Sequence, residues 1–300
     1  MPVTSNEMTL EVEQLYRNYK PLLISIAYKM LGSMAEAEDA VQDVFVTISK
    51  HGADTISHPK AYLVKLVTNR VLNVMKAAPR KRESYPGEWL PEPVIELGWE
   101  DAPLERVIQH EQLGYALLVL LQTCTPPERA VFVLRESFGY DYADIAAMMD
   151  KSEAACRKIY SRASAKIGQS QHGDKIVLND SMEKFVQSFS QAIDSGRFDS
   201  FIHLLTDDAV LLSDGGGVVR AAINPIEGRQ RIAAFLTGIA GKGSLSGEWL
   251  PASVSGQRGL LLSREGLPPL VLVLEPDAEL TSIRSIYLIA NPNKLTRITP

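Results

Sequence analysis

Cysteine is nearly absent from this 300-residue chain: only Cys124 and Cys156 occur. No histidine stands near either at metal-ligand spacing, so neither a disulfide scaffold nor a zinc site is expected, and a reducing cytoplasm is the expected compartment. Long apolar runs are missing too. No stretch approaches the roughly 20 apolar residues of a membrane span, so no membrane partner is expected. The N-terminal MPVTSNEMTLEVEQ lacks the basic region and apolar run of a secretory signal. Nor does charge of one sign dominate: 31 lysines and arginines face 36 aspartates and glutamates, a net of −5. The charges are segregated, however. Bases cluster at 60–82 and 151–166 and acids at 36–43 and 92–105. A local basic stripe, rather than the total, makes an electrostatic footprint for nucleic acid.

What the chain does have is well-punctuated helix. Leu15, Tyr19, Leu22, Ile26 and Met30 share one apolar helical face. Gly32 closes that helix, and Ser33 with Glu36 forms a capping box for the next. There Ala40, Val41, Val44, Phe45 and Ile48 make the buried stripe, opposite Glu36, Asp39 and Asp43. After the polar loop at 51–58, Pro59 opens a third helix whose polar stripe is Lys65, Asn69, Asn73 and Lys76. The proline-rich segment 79–105 reads as a linker, yet Trp89, Leu90 and Trp99 indicate that it docks on something. Beyond it Thr125–Glu128 is a second capping box. Two short helices joined by Asp150-Lys151-Ser152 make a helix-turn-helix. From about 175 the texture changes to helices at 182–193 and 229–239 with strands at 209–213, 259–263, 270–274 and 283–289. That pattern is an α+β domain with a mostly antiparallel sheet.

The second helix of the helix-turn-helix carries the chemistry of DNA contact. Ala154, Arg157, Lys158, Ser161 and Arg162 face outward, where guanidinium reads guanine edges and cations meet phosphate. The bland alternative is a solvated basic face on a bundle. Lysines and asparagines of the 65–76 stripe suit phosphates and exposed base edges of a separated strand. The acidic trio has no partner histidine and reads as a docking face for a basic partner or as merely solvated. Asp214-Gly215-Gly216-Gly217 reads as a hairpin turn between two strands. Its glycines alternatively permit close approach of another domain.

Together these pieces resemble the extracytoplasmic-function (group IV) sigma factors. AEAEDAVQDVFVTI (35–48) looks like the family's region 2.2, AYLVKLVTNRVLNVMK (61–76) like regions 2.3 and 2.4, and residues 126–167 like region 4. Trp89-Leu90-Pro91-Glu92-Pro93, the glycine motif at 214–217 and Asn291-Pro292-Asn293-Lys294-Leu295 narrow it to the SigJ-like subgroup. That subgroup carries a fused SnoaL-like (nuclear transport factor 2-like) α+β cone. The resemblance implies a multidomain chain: region 2 at 1–78, linker at 79–105, region 4 at 106–170 and the SnoaL-like domain at 175–300.

It further implies an alternative sigma factor, not an enzyme, that binds core RNA polymerase through the β′ clamp helices and the β flap, with no cofactor or metal. Glu36, Asp39 and Asp43 would meet polymerase. The 51–58 loop and the 65–76 stripe would engage the melted −10 element, and the 154–162 face the −35 element. The fused domain would regulate through 89–93, 214–217 and 291–295, with no separate anti-sigma factor. Two positions depart from the family pattern: Asn293 and Asn73 stand where relatives carry aspartate. A SnoaL-like cyclase or isomerase on a DNA-binding chain, with His203 as its acid or base, and a repressor working without polymerase are the competing readings.

Overall fold

The computed structural model describes residues 5–51, 58–77, 84–96, 114–168 and 180–298. Most of the 51–58 loop and Trp99 fall outside those residues. The chain divides into two compact units. One comprises Met1–Lys81, Arg106–Glu111 and Leu120–Gly168, and the other Arg82–Glu105, Gln112–Val119 and Gln169–Pro300.

The first unit is helical. Its opening elements are α1 (Ser5–Leu31), α2 (Met34–His51) and α3 (Pro59–Ala77). Gly32, at φ 73°, ends α1, and the Glu36 N–H donates to Ser33 Oγ at 3.4 Å, as the capping pattern requires. The expected one-sided burial of α1 holds only from Val12 to Leu22. From Leu23 to Leu31 every residue is buried, Ser25 and Lys29 included. The later helices are α4 (Tyr115–Leu120), most of which belongs to the second unit, and, in the first unit, α5 (Pro126–Phe132), α6 (Tyr142–Met149) and α7 (Glu153–Gly168). The reason for the burial is that α1 packs on α2 and α3 on one side and on α5 and the turn that follows it on the other. A π-helical turn at Val133–Ser137 extends α5.

The second unit holds a seven-stranded sheet in the order β1-β4-β5-β6-β7-β2-β3. The strands are β1 (Ile95–Glu96), β2 (Leu205–Asp214), β3 (Ile226–Glu227), β4 (Glu248–Val254), β5 (Gln257–Ser263), β6 (Leu270–Pro276) and β7 (Ile283–Ile289). Every neighbouring pair is antiparallel except β2 with β7. The near-continuous apolar runs in β5 to β7 follow from burial on both faces, because alternate side chains point to opposite sides. Leu260, Leu262, Leu272, Leu274, Ile286 and Leu288 join a core with α8 (Asp180–Ser195), α9 (Asp199–Ile202) and α10 (Arg229–Ala240). Leu261, Val271, Val273, Tyr287 and Ile289 face the other way, onto Leu90, Tyr115 and Leu295.

One expectation is overturned. Residues 214–217 are not a hairpin turn: β2 ends at Asp214, and its antiparallel partner β3 begins only at Ile226. The glycines serve close approach instead. A Cβ on Gly216 would lie 2.4 Å from the Asn291 side chain, and one on Gly217 2.5 Å from Pro86.

At the start of α5 the Thr125 N–H donates to the Glu128 carboxylate at 2.9 Å, and Lys166 of α7 donates to it at 2.6 Å. Burial raises the Glu128 carboxyl, but the Lys166 and Thr125 hydrogen bonds outweigh it and hold the group below its ordinary value of 4.5. A depressed folded-state value stabilises the fold above the ordinary value, and that contribution is lost as pH falls through the folded value. Glu128→Gln keeps the cap acceptor and removes the charge. It should therefore cost about 1 kcal/mol near neutrality. In urea titrations at successive pH values the gap to the parent should close below pH 4.5.

Candidate functional site

Helix α2 sorts its residues as an amphipathic helix must. Ala40, Val41, Val44, Phe45 and Ile48 are buried, Asp39 and Asp43 are exposed, and Glu36 is half-buried. Asp43 accepts from Arg70 of α3 at 2.5 Å, with both side chains about half exposed. Such a surface pair contributes about 0.2–1 kcal/mol, little enough for a cationic partner to displace. Along α3, Lys65 and Asn69 are half-buried while Asn73 and Lys76 are exposed. Lys65 is already engaged: its Nζ lies 2.7 Å from the Asp150 carboxylate. Tyr62, 44% exposed, stands one turn before Lys65 on the same stripe. The sequence reading omitted it, although the three-residue spacing placed it there.

The helix-turn-helix is built by its caps. The Asp144 N–H donates to Asp141 Oδ1 at 2.8 Å to start α6, and the Ala155 N–H donates to Ser152 Oγ at 3.2 Å to start α7. Between them Asp150 sits in the left-handed region at φ 51°. Cys156, Ile159, Ala163 and Ile167 are buried, whereas Ala154, Arg157, Lys158, Ser161 and Arg162 are all exposed. Tyr160 packs on Phe132 and Tyr142 and donates to Glu136. Arg157 pairs with Glu153 at 3.0 Å and lies 4.5 Å above the Tyr142 ring.

In the second unit the three remaining motifs meet around one carboxylate. Asp214, with no exposed side-chain surface, accepts from Tyr85 Oη at 2.5 Å, the Leu90 N–H at 3.0 Å, the Gly216 N–H at 3.0 Å and Lys294 Nζ at 2.7 Å. Lys294 also donates to the Leu90 carbonyl and lies 4.1 Å from the centroid of Trp89 and 5.2 Å from that of Tyr85. Burial, then the hydrogen bond to Asp214, pushes the Tyr85 phenol up, so it stays a donor. Asn291 donates to the Tyr85 oxygen at 2.8 Å and accepts the Asn293 N–H at 3.0 Å.

Asn293 itself is exposed, so an aspartate there would add surface charge and not enter the knot. Pro91, Glu92 and Pro93 are buried, and Glu92 lies 3.5 Å from Arg297. Val94 and Ser255 exchange two bonds, after which β1 pairs with β4. Residues 84–96 thus lie on the sheet as a bound extended segment. The start of α4 lies there too: Tyr115 donates to the Pro91 carbonyl and packs on Tyr287, and the Ala116 N–H donates to Gln257.

Comparison with known proteins agrees with this layout. Residues 15–81 match the Sigma-70 region 2 model and residues 115–167 the Sigma-70 region 4 model. The chain is 30% identical over 288 residues to the ECF RNA polymerase sigma factor SigJ of Mycobacterium tuberculosis, covering 91% of this chain and 90% of that protein. This chain belongs to the extracytoplasmic-function sigma factors. It is a promoter-recognising alternative sigma factor with a fused C-terminal domain. It is also 27% identical over 203 residues to a probable ECF sigma factor, SigI, of the same species, covering 65% of this chain and 67% of that one. The crystal structure of SigJ superposes with a TM-score of 0.75 at 26% identity, covering 94% of this chain and 97% of that one.

Beyond Tyr62, the sequence reading missed Tyr85, Tyr115 and Gln257. Their partners lie 129, 24 and 141 residues away, beyond the reach of any local pattern.

Lys294→Met should leave the Asp214 carboxylate buried beside no cation, costing about 3–5 kcal/mol. In this sigma factor the loss should appear as a lower urea midpoint and faster chymotryptic cleavage at Tyr85 and Trp89. Arg297→Ala, which removes the half-exposed partner 3.5 Å from buried Glu92, should shift the midpoint by less than Lys294→Met does.

Proposed function

We propose that the exposed carboxylates of α2 dock the sigma factor on the β′ clamp helices of core polymerase, while region 4 meets the β flap. On this reading the Lys65, Asn69, Asn73 and Lys76 stripe holds the separated −10 strand, and Ala154, Arg157, Lys158, Ser161 and Arg162 read the −35 duplex in the major groove. The observation that carries the reading is the recognition helix. Its five outward positions are all exposed, and the residues between them form its core.

The fused domain acts as a built-in regulator by holding residues 84–96 and the start of region 4, so no separate anti-sigma factor is needed. The protein works in the cytoplasm with polymerase and is not an enzyme. No described helix is long and apolar enough to cross a membrane. His203, the histidine a cyclase would need, is exposed.

Run-off transcription with core polymerase, on templates selected from a randomised promoter library, tests these roles. Arg157→Ala should weaken discrimination among −35 sequences, by about 1–3 kcal/mol at the contacted position, and leave polymerase affinity unchanged. The pair Asp39→Asn and Asp43→Asn should weaken core binding and leave promoter choice intact. Unchanged transcription from the Arg157 variant would remove α7 from the −35 element.

A further inference from the structure

One outward residue of the recognition helix is held in place by its neighbours. Arg157 pairs with Glu153, one turn earlier on α7, at 3.0 Å and lies 4.5 Å from the centroid of the Tyr142 ring. Among the described residues, neither Lys158 nor Arg162 makes an ion pair or a ring contact. Tyr142 is itself fixed. It opens α6 directly after the Asp141 cap, and its ring meets that of Tyr160 edge to face, with centroids 6.0 Å apart. Tyr160 in turn stacks on Phe132 at 6.0 Å and donates to Glu136 at 2.7 Å. A second guanidinium, that of Arg135, lies 5.0 Å from the Tyr142 ring and donates to the Tyr140 carbonyl at 3.0 Å.

The geometry points to Tyr142 as a positioning residue for −35 recognition: its ring, on the first helix of the helix-turn-helix, aims the Arg157 guanidinium on the second. This rests on the proposed −35 role of Arg157. A ring attracts a cation through its quadrupole and calls on no particular N–H. It therefore holds the guanidinium without using up the donors that O6 and N7 of a guanine need. The bond to Glu153 occupies one donor of the fork and leaves others for a base. An arginine without such support gives up its side-chain freedom when it meets the right base and keeps that freedom at a wrong one. The ordering cost then subtracts from the preference between the two bases. Holding Arg157 beforehand moves that cost into the fold, so discrimination rises.

Run-off transcription with the full chain and core polymerase tests this, on templates that differ only at the −35 position whose base preference Arg157→Ala flattens. Tyr142→Leu keeps an apolar side chain against Tyr160 and takes the ring away from Arg157. It should lower the preference at that position by about two- to five-fold, the range that an exposed cation–π contact allows. Preferences at the other −35 positions and affinity for core polymerase should stay as in the parent. Tyr142→Phe keeps the ring and should retain the parental preference, which a hydroxyl acting on a phosphate would not allow. In the Arg157→Ala background, Tyr142→Leu should add nothing at that position. Lost stability lowers transcription on every template alike, so the comparison between templates reads aim alone. An equal fall on all templates, or a loss of preference with Tyr142→Phe as large as with Tyr142→Leu, would overturn the positioning role. If Arg157→Ala flattens one position and Tyr142→Leu changes nothing there, only the positioning role is wrong. If Arg157→Ala flattens none, the −35 reading of α7 is wrong and the positioning role goes with it.

Discussion

A carboxylate with no solvent exposure must find its partners inside the protein, and Asp214 organises the second unit by this requirement. Its neighbours come from three distant stretches: Tyr85 and Leu90 before region 4, Gly216 just after the strand end, and Lys294 near the C-terminus. Removing any of them leaves a desolvated charge or dipole short of a bond, and that cost ties the segment 84–96 to the sheet. The apolar side of the same arrangement is Leu90, 1% exposed against Leu261, Val273, Tyr287 and Leu295. Charge fixes where the segment lies, and burial of Leu90, worth about 1.5–3 kcal/mol, adds affinity.

The helical unit uses buried cations to the same end. Lys29 and Arg129 are 1% and 3% exposed, and each finds an oxygen or an aromatic face across the seam between regions 2 and 4. Breaking such contacts is costly only if the groups stay dry. Once water reaches them, the ammonium and guanidinium are readily solvated. The chain itself passes between the units: 82–105 and 112–119 belong with the sheet, while the residues flanking them belong with the helices. Regions 2 and 4 are therefore joined by a segment whose two described stretches, 84–96 and 114–119, lie on the fused domain's sheet.

Much of this was legible in the sequence because its signals are local. The Ser33 and Thr125 capping boxes announced two helix starts, and each is found. The sorting of α2 and α7 into buried and exposed positions followed from a period of 3.6 residues. The two-sided burial of β5 to β7 explains why their apolar runs read as strands without alternation. The glycine motif was misread for an instructive reason. Asp-Gly-Gly-Gly after a strand is what a tight hairpin looks like locally, and only the approach of Asn291 and Pro86 shows what the missing Cβ atoms are for.

The sequence by itself determined the principal helices, strands β2 and β5 to β7, the family and which residues present an exposed basic, acidic or amide-bearing face, because helix and strand periodicities are properties of neighbouring residues. Only the tertiary structure decided what those faces meet. That α1 is buried on all sides from Leu23 onward, that Lys65 holds Asp150 and that Tyr85 bridges Asp214 to Asn291 are contacts between residues tens to hundreds of positions apart. Such contacts depend on how hydrophobic faces stack and how buried charges are compensated. Both are settled by the free energy of the folded whole, and no local spacing encodes them.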